Sequence, residues 1–179
     1  MSPFLNADVL TRLGPGDAGR FAREGYLPLP GLLTDDGLAA LGREAVGLEA
    51  VAQRRDFAMA CMDDSPRRMT TLRGRVISET SEPIPALCRD RNLIGPVRRA
   101  AGEPVIEVED PVERHVLNIP HRAGDTHGAH TDDHPYALVL FLEAPDDPAY
   151  GGLVHFPRAA SRRNLASRPC TVRACAVPS

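Results

Sequence analysis

Residues 121–143 read HRAGDTHGAHTDDHPYALVLFLE. Imidazoles and carboxylates crowd the first part, and an apolar run follows at once. Four of the six histidines of the chain lie here, with His115 and His155 close on either side. The run YALVLFLE (136–143) has the length and composition of a strand, and the polar half reads as the entrance to it. Two further extended runs flank it, RHVLNIP (114–120) and GGLVHFP (151–157), the latter behind the loop APDDPAYGG (144–152).

Upstream the pattern is helical. FAREGYLPLPGLLT (21–34) reads as a helix end, a turn at Gly25, a short strand and a second turn at Pro30–Gly31. A helix should follow. Thr34 is a plausible N-cap, Asp35 and Asp36 suit the positive first turn, and Leu38, Leu41, Ala45, Leu48 and Ala52 share one face. The polar, turn-rich stretch 51–74 reads as a surface loop. NLIGPVRRAAG (92–102) fits a second short helix stopped by Gly102 and Pro104. Helices first and strands later predict an α+β protein on an antiparallel β-sandwich or jelly roll. There is no internal repeat.

At 179 residues the chain suits one domain, and 42% hydrophobic with 25% charged residues suits a globular one. No apolar run approaches the roughly 18 residues that span a bilayer. The N-terminus has no basic segment ahead of an apolar core, so no secretory signal is read and the cytoplasm is the expected location. A net charge of −3 gives no argument for a nucleic-acid partner. The four cysteines form no C-x-x-C pair, which favours scattered thiols over a zinc site or disulfide. Residues 158–179 differ from the rest, with five arginines and no acidic residue. They read as a basic, disordered tail behind a domain of residues 1–157, or as an arm for an acidic partner.

His130 and Asp132 are the centre of the chemical reading. On a strand, residues two apart point to the same face, with Cα atoms roughly 6.5 Å apart. An imidazole and a carboxylate so placed can share a metal, and one more histidine would complete a 2-His-1-carboxylate triad with open positions on iron(II). A bare H-x-D is a common pattern, and solvated turn residues are the alternative. Four histidines and three aspartates within residues 121–134 weigh towards the metal.

FAREGYLPLPGLLT, PVERHVLNIPHRAGDTHGAHTDD (111–133) and YALVLFLEAPDDPAYGGLVHFP (136–157) together resemble the iron(II)/2-oxoglutarate-dependent oxygenases. The most similar branch is that of bacterial free-amino-acid halogenases and their hydroxylating relatives. The resemblance implies a double-stranded β-helix, or jelly roll, with Fe(II) bound by His130 and Asp132, 2-oxoglutarate as cosubstrate and O₂ as oxidant. In halogenating members a glycine replaces the carboxylate. Asp132 therefore implies a hydroxylase acting on a small molecule, an amino acid. Glu113, His127 and Asp133 match positions that hold the charged groups of that substrate, and Arg67 matches the arginine near the iron-bound cosubstrate. Each has a plainer alternative, as a solvated charge or a loop-ordering group. Strand parity turns His127 and Asp133 away from His130 unless the chain bends between them.

The resemblance ends near Pro157. The second iron-binding histidine and the arginine that pairs with 2-oxoglutarate, expected on late strands, have no counterpart in the 47 residues after Asp132. His155 comes too early for that role. A truncated or frame-shifted gene is the expectation, so an inactive remnant of such an enzyme stands beside the hydroxylase reading, and a small binding protein acting through its basic tail stands third.

Overall fold

A computed structural model describes residues 3–130, 132–154 and 172–176. The elements run α1 (Ala7–Arg12), α2 (Pro15–Glu24), β1 (Tyr26–Pro28), α3 (Asp35–Glu49), β2 (Gln53–Met59), β3 (Ser65–Arg73), α4 (Gly74–Thr80), α5 (Pro83–Cys88), α6 (Arg91–Ala101), β4 (Val116–Ile119), β5 (Thr126–His127), β6 (Tyr136–Leu140) and β7 (Val172–Ala176). Two compact units are formed, one from the described residues of Met1–Ala40, Leu87–Glu107 and Thr131–Ser179, the other from Leu41–Ala86 and Val108–His130. Among the described residues no helix is long and apolar enough to cross a membrane.

The helix boundaries follow local chemistry. Pro15 opens α2 where a missing N–H costs nothing, and Gly25 closes it at φ 81°, a conformation that favours glycine. Thr34 caps α3 as its sequence suggests, its Oγ1 accepting from the Gly37 amide at 3.0 Å. On the predicted stripe Leu41 and Leu48 are buried, while Leu38, Ala45 and Ala52 are half-buried. Asp90 caps α6 through the Asn92 amide at 2.8 Å, and Gly102 ends it at φ 75°.

In the first unit β7 lies between β1 and β6 and runs parallel to both, with Ala174 opposite Leu27 and Leu138. The Phe21 ring of α2 stacks on Tyr136 of β6, centroids 6.0 Å apart. The tail expected to be disordered falls mostly outside the described residues; its described part, 172–176, is this strand. The described part of GGLVHFP, 151–154, forms no strand, and His155 lies outside the described residues.

The second unit corrects the reading of 51–74. That stretch is not a surface loop but a hairpin, β2 paired antiparallel with β3 from Gln53↔Thr71 to Met59↔Ser65. Its tip turns through Asp63 and Asp64, both at positive φ (52° and 54°), which a short polar side chain tolerates. β3 is the central strand: β2 pairs along one side, β5 and then β4 along the other. Alternation puts Ser65, Arg67 and Met69 on one face and Leu72 on the opposite one, where it packs with Leu48 and Ile77. The antiparallel sheet agrees with the α+β expectation, but helices and strands interleave where helices-then-strands was expected.

Candidate functional site

The site begins at the first residues of β3. Ser65 and Arg67 are both 6% exposed, so their polar atoms must find partners inside the protein. Arg67 lies directly opposite His127 on β5. Immediately after His127 the chain leaves the strand at Gly128, and no other residue would fit there. A Cβ on Gly128 would lie 2.5 Å from Ser65 Oγ and 2.7 Å from Pro66 Cδ and the Pro66 carbonyl. Ser65 Oγ donates to the Ala129 carbonyl at 2.5 Å. Nη1 of Arg67 donates to Ser65 Oγ (3.0 Å), the Pro66 carbonyl (3.2 Å) and the Gly128 carbonyl (3.4 Å), and Nη2 sits 3.7 Å from Met62 Sδ. A permanently charged guanidinium is thus buried among a hydroxyl and carbonyl dipoles.

This corner turns the two imidazoles together. The rings of His127 and His130 lie 4.3 Å apart between centroids, tilted by 39°. Nδ1 of His130 is 2.8 Å from the Gly128 carbonyl oxygen. A carbonyl can only accept, so Nδ1 carries the proton and the neutral ring has its lone pair on Nε2.

A second clamp steadies the approach to β5. Arg54 of β2 grips Asp125 with two hydrogen bonds of 2.7 Å, and the Asp125 side chain is 3% exposed. Asp125 also accepts from the backbone amides of His121 (2.8 Å) and Arg122 (3.2 Å). The Arg54 guanidinium, then these amides, hold its carboxyl far below the usual carboxylate range.

Of the residues singled out in the sequence, Arg67, His127 and His130 come together. For His127 the condition set by strand parity is met, because the chain bends at Gly128–Ala129. Neither His130 nor Asp132 lies in a strand: β5 ends at His127 and β6 starts at Tyr136, and Thr131 lies outside the described residues. Asp132, half-buried, and Asp133, exposed, belong to the first unit. Glu113 is exposed on the turn before β4. That turn is held against the start of α4, where the Gly74 amide donates to the Val112 carbonyl at 3.0 Å and a Cβ would meet the Pro111 carbonyl at 2.6 Å.

Ser65, Gly128 and the Arg54–Asp125 clamp went unread in the sequence. The available signal was the period-two pattern of Ser65, Arg67 and Met69, masked by its polarity. Iron(II) takes imidazole and carboxylate donors, and a His130 ring protonated on Nδ1 is a donor of that kind. In number the set falls short. Among the described residues no group of three or more His, Cys, Asp or Glu side chains is arranged to hold a metal ion.

A family model described as Halogenase D matches residues 16–164, most of the chain. Comparison with curated proteins gives no match.

Proposed function

The chain belongs to the halogenase D family, and from that premise we propose that it is an iron(II)- and 2-oxoglutarate-dependent oxygenase that hydroxylates a free, basic amino acid. The observation that carries this reading is the corner 127–130, where a glycine carbonyl fixes the His130 proton on Nδ1 beside a buried arginine. Such an outer partner on the far ring nitrogen is what metal-binding histidines ordinarily have.

In this proposal His130 and Asp132 hold the iron. The presence of a carboxylate at 132, where halogenating relatives carry glycine, supports hydroxylation over halogenation. When bound, the metal and its keto-acid cosubstrate supply the oxidising chemistry, with succinate and CO₂ as co-products. The residues of the chain bind and orient. Arg67 contributes a fixed positive charge suited to a carboxylate of the cosubstrate. Glu113, Asp133 and His127 receive the charged groups of the amino acid. Two carboxylates favour a substrate with an amino group at each end, or a guanidinium.

Adding iron(II) and 2-oxoglutarate under anaerobic conditions should produce the visible charge-transfer band of a keto-acid chelate. In air, succinate release should be stimulated by basic amino acids and not by acidic ones. Asp132→Ala should lose both signals. A chain that gives neither band nor succinate with any amino acid defeats the proposal. A preserved signal in Asp132→Ala removes that residue from the metal site.

A further inference from the structure

We infer that Ser65 is a positioning residue that sets the tautomer of His130. A serine hydroxyl has one proton to give and lone pairs to receive, and Ser65 uses both kinds of capacity at the corner. It gives its proton to the Ala129 carbonyl, which fixes the peptide leading into His130. It receives Nη1 of Arg67, which aims the same nitrogen at the Gly128 carbonyl. That carbonyl is the acceptor for His130 Nδ1–H. Two donors therefore converge on one oxygen, and the hydroxyl holds both the donor side and the chain that carries the acceptor. Gly128 belongs to the same device, since any side chain there would strike Ser65 Oγ and Pro66.

The consequence is chemical and local. Without the Ser65 hydroxyl, the 128–130 corner loses its anchor and the neutral His130 ring can carry its proton on either nitrogen. A proton on Nε2 occupies the lone pair that a metal would use. The value of this device to the protein rests on His130 being a metal ligand, as proposed above, but the tautomer itself is measured without any metal.

The test is a long-range ¹H–¹⁵N correlation spectrum of the metal-free chain, recorded at rising pH until the ring-nitrogen shifts stop changing. His130→Gln identifies the His130 signals by their loss. In the unsubstituted chain His130 should be protonated on Nδ1. Ser65→Ala should shift it to a mixture of both tautomers, and Ser65→Thr, which restores a hydroxyl, should return it towards Nδ1–H. A merely structural role would instead broaden or move the signals of all histidines together. If Ser65→Ala does not fold, Ser65→Cys, a near-isostere with a weak donor, gives the same reading.

An Nε2–H ring in the unsubstituted chain, or an unchanged tautomer in folded Ser65→Ala or Ser65→Cys, overturns the inference. A cobalt(II) titration separates the two levels. Ser65→Ala should bind roughly 10–100-fold more weakly than the unsubstituted chain. If neither binds metal while the tautomer behaves as stated, the metal reading fails and the role of Ser65 stands. Equal binding by both, with the tautomer altered, removes its bearing on the metal.

Discussion

Compare SPRRM at 65–69 with YALVL at 136–140. The first holds a serine, a proline and two arginines, yet Ser65, Arg67 and Met69 are buried. The second is nearly all apolar, yet every one of its residues stays partly exposed. Hydropathy alone would reverse them. What separates them is the supply of partners. β3 has neighbours on both sides, and the acceptors its polar side chains need are built into the chain 61 to 64 residues away. Burial follows satisfied hydrogen bonds as well as apolar area.

The sharpest way to break this comparison is to make β3 more apolar. Arg67→Leu keeps a bulky side chain and removes a buried charge, so a hydropathy rule predicts gain. We expect a loss of about 3 kcal/mol, because Ser65 Oγ and the Pro66 and Gly128 carbonyls lose their common donor. The reciprocal change in β6, Val139→Thr, should cost less than about 1 kcal/mol at its half-exposed position. Urea unfolding of the pair decides it. A stabilised Arg67→Leu would mean that the polar node is incidental.

Next comes the corner itself. Gly128→Ala leaves composition almost unchanged but places a methyl within 2.5–2.7 Å of Ser65 and Pro66. We expect a cost of about 2 kcal/mol from overpacking, together with loss of the His127–His130 ring contact. An alanine variant as stable as the parent would show that β3 and the corner are not locked together.

The Arg54–Asp125 clamp gives a smaller, pH-dependent effect. The Asp125 carboxyl is held below its ordinary value of 3.8 in the folded chain, first by Arg54 and then by the His121 amide. A depressed folded value adds stability that is present above the unfolded value and is lost as the pH falls through the folded one. The advantage of the parent over Asp125→Asn should therefore be full at neutral pH and shrink steadily below about pH 4. Denaturant midpoints measured down the acid limb check this. A difference that stays constant with pH would assign the effect to geometry and not to charge.

These contrasts also explain what could be read in advance. The Thr34 cap, the α3 stripe and the stops at Gly25 and Gly102 were legible because each depends on residues within a turn or two. The hairpin 53–73 was not, because the burial of Ser65 and Arg67 depends on Gly128 and Ala129, far along the chain. His127, His130 and Arg67 were legible as residue types. Their convergence needed a bend whose cause, a glycine pressed against Ser65, carries no local signature. The strand expected to carry His130 misses it for the same reason: the corner that gathers the imidazoles also ends β5.

The smallest effect lies in β6, at its one polar residue. The Tyr136 hydroxyl donates to Glu103 Oε1, and its pKa is pushed from 10.0 to about 12 by burial first and by the Glu103 carboxylate second. Both causes disfavour the phenolate, since burial strips its solvation and Glu103 adds a like charge. A raised folded value means stability fully present below pH 10 and lost as the pH rises towards 12. Alkaline titration by tyrosinate absorbance should show a step near pH 12 that is absent from Tyr136→Phe. Glu103→Gln should move that step down while leaving a residue of the shift, because burial is the larger cause. If Glu103→Gln abolishes the shift entirely, the apolar run of β6 contributes nothing to the tyrosine environment, and the half-exposed strand is more open than its neighbours imply.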